Sequence, residues 1–263
     1  MKKERKLRPF LRAVWAEITE KKGTFCVYLV LRLAVILILI VRLLDRKYED
    51  VLLCLLTLFL LILPQIVQAA FHIDLPSRLE IVLLCFAFAA EIMGEVQSFY
   101  LHIPFWDTIL HTVNGFLCAV IGFSLVEILN NKPNLKFELS PVFMALVAFC
   151  FSMTIGVLWE FFEYGMDQIF LLDMQKDTVV QTISSTLLNL NQDGASVIIT
   201  GIQSTMVNGE PLNVPGYLDI GLVDTMQDLL VNFIGAAVFS VFGYFYTARK
   251  GSSFVEDWLI VRR

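Results

Sequence analysis

The stretch FWDTILHTVNG, from Phe105 to Gly115, combines membrane-like hydrophobicity with ionisable side chains. It opens an apolar run about as long as a membrane span, yet Asp107 and His111 lie one helical turn apart within it. Because residues four apart share one helix face, a helix here presents a carboxylate and an imidazole together. The stretch therefore predicts a spanning helix with a polar site built into it.

The composition places the whole chain among membrane proteins. Of its 263 residues, 57% are hydrophobic, and the mean hydropathy is +0.71. These values exceed ordinary globular usage, and the apolar residues fall in long runs. The sequence predicts an all-α, polytopic membrane helical bundle of about six transmembrane helices. The five cysteines lie inside apolar runs without CxxC spacing, so no disulfide framework is indicated.

The apolar runs divide the chain into three predicted parts. A cytoplasmic amphipathic segment covers residues 1–23, a six-span membrane domain covers 24–248, and a cytoplasmic tail covers 249–263. A polar extracytoplasmic loop at 173–218 separates spans 5 and 6, and Asn208-Gly209 is a strong signal for a type I′ hairpin within it. The spans are predicted at 24–44, 51–70, 79–97, 105–129, 141–172 and 220–248.

The distribution of basic residues predicts the orientation in the membrane. With six spans, fifteen Lys and Arg residues fall on the side of the termini and three on the other side. The positive-inside rule then places both termini in the cytoplasm. Membrane lipids are the expected partners of the basic residues, and nucleic-acid binding is not expected.

Eight carboxylates lie in or beside four of the predicted spans, and the predicted topology puts all of them in the outer half of the membrane. A charge at a span centre costs roughly 2.5–3.5 kcal/mol on insertion scales. Arg32 and Arg42 cannot neutralise eight acids, so a bound cation, shared protons or a water-lined pocket is needed in addition. The acids, with the His and Asn on the same helix faces, are Glu91, Glu95, Asp107, His111, Glu160, Glu163, Asp167, Asp224, Asp228 and Asn232.

Most of these residues lie in sequence motifs that resemble those of a known protein family. The motifs are Gly94-Glu95 with Phe99-Tyr100, WD-x3-H-x3-G from Trp106, WE-x2-E-x3-D from Trp159, and DT-x2-DL-x2-N-x2-GA from Asp224. Together they resemble the YjdF-like family of bacterial integral membrane proteins, over roughly residues 50 to 250. The last motif is also similar, locally, to VanZ-like proteins. The resemblance implies a multi-span inner-membrane protein, and it implies no settled activity.

Three functions fit the polar residues. The first is a metal-dependent hydrolase or transferase acting on a lipid or envelope precursor, since His and carboxylates suit a divalent Zn²⁺, Mn²⁺ or Mg²⁺ ion. The second is a cation- or proton-coupled transporter. The third is a structural or partner-binding protein with a buried polar network.

For the enzyme, each polar residue has an expected role. Glu95 and Glu163 are the candidate general bases, whereas Glu91, Asp167 and Asn232 complete the polar cluster. The expected metal ligands are Asp107, His111, Glu160, Asp224 and Asp228.

Overall fold

A computed structural model describes residues 21–130, 139–190, 193–249 and 253–262 of the chain. Most of the amphipathic segment predicted at 1–23 lies outside these residues. The described helices are α1 (Lys22–Leu44), α2 (Tyr48–Leu60), α3 (Leu63–Phe71), α4 (Ser77–Phe88), a π-helical segment (Ala89–Val96), α5 (Phe99–His102), α6 (Trp106–Asn130), α7 (Pro141–Phe170), α8 (Leu222–Ala248) and α9 (Ser253–Glu256).

Five stretches of the described chain are helical, long and apolar enough to cross a membrane. They are α1, α2 together with α3 (Tyr48–Phe71), α6, α7 and α8. The shortest has 23 residues, which is about 34 Å at 1.5 Å per residue, against a hydrocarbon core of about 30 Å. The predicted all-α polytopic membrane fold is confirmed.

The second span is interrupted near Pro64, where the sequence predicts a kink. Helix α2 ends at Leu60, and α3 begins at Leu63 with Pro64 in its first turn. Proline fits a first turn because the amide that it lacks has no intrahelical partner there. The break therefore falls just before the proline, and two shorter helices replace one uninterrupted span.

The span predicted at 79–97 departs from regular α-helix. Its first part is α4, of 12 residues, and its second part is the π-helical segment, of 8 residues. In a π-helix the hydrogen bonds run from i to i+5, so the turn is wider than in an α-helix. Glu91 and Glu95 both lie in this segment. Glu91 is half-buried, whereas Glu95 is exposed.

The chain forms two compact units. The larger comprises Met1–Thr154 and Val231–Arg263, and the smaller comprises Ile155–Leu230. Helices α7 and α8 each run from one unit into the other.

The larger unit has two hydrophobic clusters. One joins α1, α2 and α4 with the π-helical segment, around Val35, Cys54 and Leu61. The other is built around Phe123 of α6 and Phe239 of α8, both fully buried. This second cluster also takes in residues from the tail after α8, which the sequence predicts to be cytoplasmic.

A short antiparallel pair of strands closes one end of the larger unit. Strand β1 (Ile73–Asp74), in the connector after α3, pairs with β8 (Val261–Arg262) in the tail. Asp74 also accepts a contact from Lys21, whose Nζ lies 3.1 Å from its Oδ1. Residue 21 and the tail therefore meet the same connector, so the two ends of the described chain lie at the same end of this unit.

The smaller unit carries the described strands of the polar loop. Strand β2 (Thr178–Val180) pairs with β7 (Tyr217–Asp219), and β3 (Thr182–Ser185) pairs with β4 (Val197–Thr200). The predicted turn at Asn208-Gly209 is present between β5 (Met206–Val207) and β6 (Glu210–Pro211). Both turn residues have positive φ, 54° and 86°, as a type I′ turn requires.

Two glycines bring α6 and α8 into backbone contact within the larger unit. A methyl group at Gly115 would overlap the backbone oxygen of Asn232, and one at Gly235 would overlap that of Thr112. Small residues at a membrane helix crossing allow such close approach. The crossing fixes the position of α6 just after the Asp107 and His111 turn.

We expect Gly115→Ala and Gly235→Ala each to destabilise the protein by about 1–3 kcal/mol, because the backbone oxygens opposite cannot rotate away. Thermal unfolding of the purified protein in detergent measures this loss. Gly165→Ala on α7 is the matched control, since nothing lies within 4 Å of an added Cβ there. It should be neutral or slightly stabilising through helix propensity. Equal unfolding temperatures for all three variants would contradict the close crossing.

Candidate functional site

The Asp107 and His111 pair lies in the first turns of α6. The His111 Nε2 atom lies 3.5 Å from Asp107 Oδ1. The imidazole is buried, and the carboxylate is half-buried. The structure therefore brings together the carboxylate and imidazole that the helical spacing predicts.

The chain enters α6 through a sharp turn. Ser98 and Phe105, on either side of the four-residue α5, both have positive φ, 58° and 65°. Such values are uncommon outside glycine, and for a bulky residue such as Phe105 they mark a constrained turn. This turn reverses the chain between the π-helical segment and α6.

Aromatic rings hold this turn in place. The Tyr100 ring lies directly against Gly94, leaving no space for a side chain there. The Phe99 ring packs edge-on to Trp106, with centroids 5.0 Å apart. The residues of the first two motifs therefore pack on one another and fix the start of α6, next to Asp107.

Further polar side-chain contacts lie along α6 beyond the Asp107 and His111 pair. Asn114 Nδ2 donates to Asn232 Oδ1 at 3.3 Å, and Asn232 Nδ2 lies 3.6 Å from the sulfur of Met153. Ser152 Oγ donates to the Gly115 carbonyl at 2.7 Å. These contacts join α6, α7 and α8. Sequence reasoning placed Asn232 in the polar cluster but missed Asn114, which stands three residues after His111 and so on the same side of the helix.

Both arginines of the first span have partners other than the eight predicted acids. Arg42 Nε lies 3.3 Å from Asp50 Oδ2, and its NH2 atom donates to the Val96 carbonyl. The Arg32 guanidinium stacks 4.0 Å from the centroid of the Tyr28 ring. The described contacts of these two arginines are therefore with Asp50, Val96 and Tyr28.

The smaller unit contains the acidic stripe of α7. Glu160 and Glu163 are buried, and Trp159 Nε1 donates to Glu163 Oε1 at 2.8 Å. This bond, between residues one turn apart, fixes the orientation of the Glu163 carboxylate. On α8, Asp228 is also buried. Three ionisable groups of the smaller unit are thus withdrawn from solvent.

The two other acids of the predicted site in this unit, Asp167 and Asp224, bind the loop backbone. The Asp167 carboxylate accepts the amides of Met174 and Gln175, at 2.7 and 2.9 Å. Asp224 Oδ2 accepts the amide of Lys176 at 2.6 Å. The Gln175 side chain donates to the Thr225 hydroxyl. Asp167 and Asp224 therefore anchor the start of the polar loop to α7 and α8.

The loop beyond these anchors is acidic. Burial raises the pKa of Asp177, and the nearby carboxylates of Asp173, Asp219 and Asp167 raise that pKa further. Asp219 itself accepts the Val223 amide at 2.8 Å and so caps α8. Since the folded state holds the Asp177 proton more tightly than the unfolded chain, this group destabilises the fold increasingly as the pH rises through its folded pKa.

We expect Asp177→Asn to slow proteolytic cleavage of the 173–218 loop at pH 7.5 by about two- to fivefold, because it removes repulsion among carboxylates. The gain should shrink toward pH 4 and at high salt. Asp193→Asn is the control with the opposite sign, since the Ala195 amide and then the Asn189 side chain hold the pKa of Asp193 below its usual value. A protective effect from both variants would contradict this assignment.

Comparison with known proteins relates the chain to a family of membrane proteins. A family model described as "Predicted membrane protein (DUF2238)" matches residues 26–249. A protein of Thermotoga maritima, named "Uncharacterized protein", is 33% identical over 106 residues, which is 40% of this chain. The chain spans about half, 53%, of the length of this curated relative. No solved structure matches.

The matched region includes every residue of the predicted site and all of the described spanning helices except the first four residues of α1. The match is consistent with the YjdF-like resemblance but carries neither that name nor the VanZ-like one, so both resemblances stay predictions. With most of its length matched, the chain belongs to the DUF2238 family of predicted membrane proteins.

Proposed function

We propose that this integral membrane protein is a metal-dependent hydrolase or transferase acting on a lipid or envelope precursor. The observation that carries the proposal is the Asp107 and His111 pair on a spanning helix. Two ligand atoms bound to one tetrahedral Zn²⁺ at about 2.0–2.1 Å lie about 3.3 Å apart. The Nε2 to Oδ1 distance of 3.5 Å is close to this value and is long for a hydrogen bond.

The donor types also support a divalent ion. Imidazole and carboxylate suit Zn²⁺ or Mn²⁺, and carboxylate suits Mg²⁺. Glu160, Asp224 and Asp228 remain the predicted further ligands. Among them, Asp224 already accepts a loop amide, which favours Glu160 and Asp228. When bound, such an ion polarises a substrate oxygen and acidifies a bound water.

The remaining carboxylates would serve proton transfer. Glu163 is held in one orientation by Trp159, as a general base needs. Glu95 is exposed on the π-helical segment, and this class of helix is frequent at functional sites. Glu91, Asp167 and Asn232 are expected to support the site rather than to react. Asp167 and Asn232 already hold a loop and a helix crossing.

We expect the purified wild-type protein, stripped with EDTA and reloaded, to retain one equivalent of Zn²⁺ or Mn²⁺ by elemental analysis. His111→Ala and Asp107→Asn should weaken this binding by at least about 100-fold, since losing a ligand costs more than losing its supporting partner. His102→Ala is the matched control, because His102 is exposed and its Nδ1 contacts the Ser98 carbonyl. Hydrolysis of lipid phosphoesters and amides in mixed micelles should follow metal content.

Other results would favour the alternatives. Cation or proton uptake by proteoliposomes, lost in the same variants, would favour a cation- or proton-coupled transporter. A protein that retains no metal, and whose variants only lower the unfolding temperature, would favour a structural or partner-binding protein with a buried polar network. Either outcome would overturn the enzyme proposal.

We also propose that the chain lies in the bacterial plasma membrane with both termini in the cytoplasm. The meeting of Lys21 and the tail on one connector supports termini on the same side. The excess of Lys and Arg supports the cytoplasm as that side. Membrane lipids are then the partners of the basic residues.

A fluorescent protein that matures only in the cytoplasm, fused after Arg263, should be fluorescent in cells. The same domain inserted at Asn208-Gly209, in the predicted extracytoplasmic loop, should remain dark. Fluorescence from the loop insertion alone would reverse the proposed orientation.

A further inference from the structure

The tail after α8 folds back into the core of the larger unit. Val255, Leu259 and Ile260 are almost wholly buried. They belong to the same hydrophobic cluster as Phe123 of α6 and Phe239 of α8. The sequence shows an amphipathic WLIVRR ending typical of an interface, whereas the structure gives its apolar residues core positions.

The tail contacts α6 well before the C-terminal end of that helix. The Ile260 amide donates to Ser124 Oγ at 3.1 Å, and Ser124 lies six residues before Asn130, the last residue of α6. Six residues of helix are about 9 Å. The Trp258 ring packs edge-on to Phe116, with centroids 5.3 Å apart. These residues therefore enter the part of the helix bundle that lies at membrane depth.

Irregular backbone at that depth must have its polar groups satisfied within the protein. The amides of Trp258 and Leu259 donate to the carbonyls of Val255 and Glu256. The next amide, of Ile260, donates to the Ser124 hydroxyl. After it, β8 pairs with β1. Each backbone amide from 258 to 260 thus has a partner, as a re-entrant segment requires.

Charged residues fix the outer side of the segment. Asp257 Oδ2 lies 2.8 Å from the Arg78 guanidinium, with both side chains about half exposed. Because Arg78 lies in the first turn of α4, this pair ties the tail to the helix next to β1. The segment therefore has an apolar inner face and a charged outer face.

We propose that residues 253–262 form a C-terminal plug that closes this end of the larger unit to water. The end concerned is the one where α6 and α8 finish and where α4 and α7 begin. The polar pair of the proposed function lies at the start of α6, at the opposite end of that helix. The plug makes access one-sided, from the end where α6 begins, and this holds whatever reaction the polar residues perform.

The test uses a charged thiol reagent on protein in lipid nanodiscs, where both ends are accessible. In a background without the five native cysteines, Ser124→Cys should react at least about 100-fold more slowly than Glu256→Cys on the exposed outer side of the plug. Ending the chain at Arg249 should make Ser124→Cys react quickly. Rapid reaction in the full chain, or unchanged protection in a folded truncated chain, would overturn the proposal.

A second measurement needs no truncation. The Ile260 amide lies close enough to Ser124 Oγ for the two α-carbons to be within disulfide reach. Ser124→Cys with Ile260→Cys should form a cross-link under mild oxidation, seen as loss of both sites for a maleimide mass tag that is added after the protein is unfolded in SDS. Ser124→Cys with Glu256→Cys should remain taggable at both positions. Failure of the first pair to cross-link would show that the tail does not occupy this position.

Discussion

Hydrocarbon offers no hydrogen-bond partners, and this constraint accounts for the arrangement of polar groups in the larger unit. Ser152 donates to the carbonyl of Gly115, and Asn232 bridges Asn114 and a methionine sulfur. These polar side chains thus form hydrogen bonds with neighbouring helices. The glycine contacts between α6 and α8 bring the backbones close enough for these bonds to form.

The acidic residues divide into two kinds when their partners are considered. Asp167 and Asp224 accept backbone amides and hold the loop that follows α7. Asp107 instead faces an imidazole, and Glu160 and Asp228 are buried carboxylates on helices. This anchoring of the loop gives a role to the Asp that ends the Trp159 motif and to the Asp that begins the Asp224 motif. The second kind is what an ion-binding or proton-transfer site would use.

Features that depend on residues close together in the sequence were predictable. The spans follow from length and hydropathy, the Asp107 and His111 pair from the turn of an α-helix, and the Asn208-Gly209 hairpin from turn chemistry. Features that depend on distant partners were not. The amides that bind Asp167 come from a loop whose path no local pattern gives, and the tail shows its burial only once α6 is beside it.

The π-helical segment is a helix that the sequence predicts, but its wider turn depends on distant residues. Nothing in EIMGEV distinguishes i to i+5 hydrogen bonding from the α-helical pattern. The wider turn is stabilised from outside, where Tyr100 covers Gly94 and Arg42 binds the Val96 carbonyl. The wider turn that carries Glu91 and Glu95 therefore could not be predicted from the sequence.

The buried tail has a consequence for biogenesis. Residues 253–262 leave the ribosome after α1 to α8, so the core around Phe123 and Phe239 remains incomplete while those helices are being inserted. Until the tail docks, Ser124 has no amide to accept, and the cleft that receives Trp258 faces water. A chaperone or a quality-control protease that recognises exposed apolar grooves would therefore bind the nascent protein until residues 253–262 have docked.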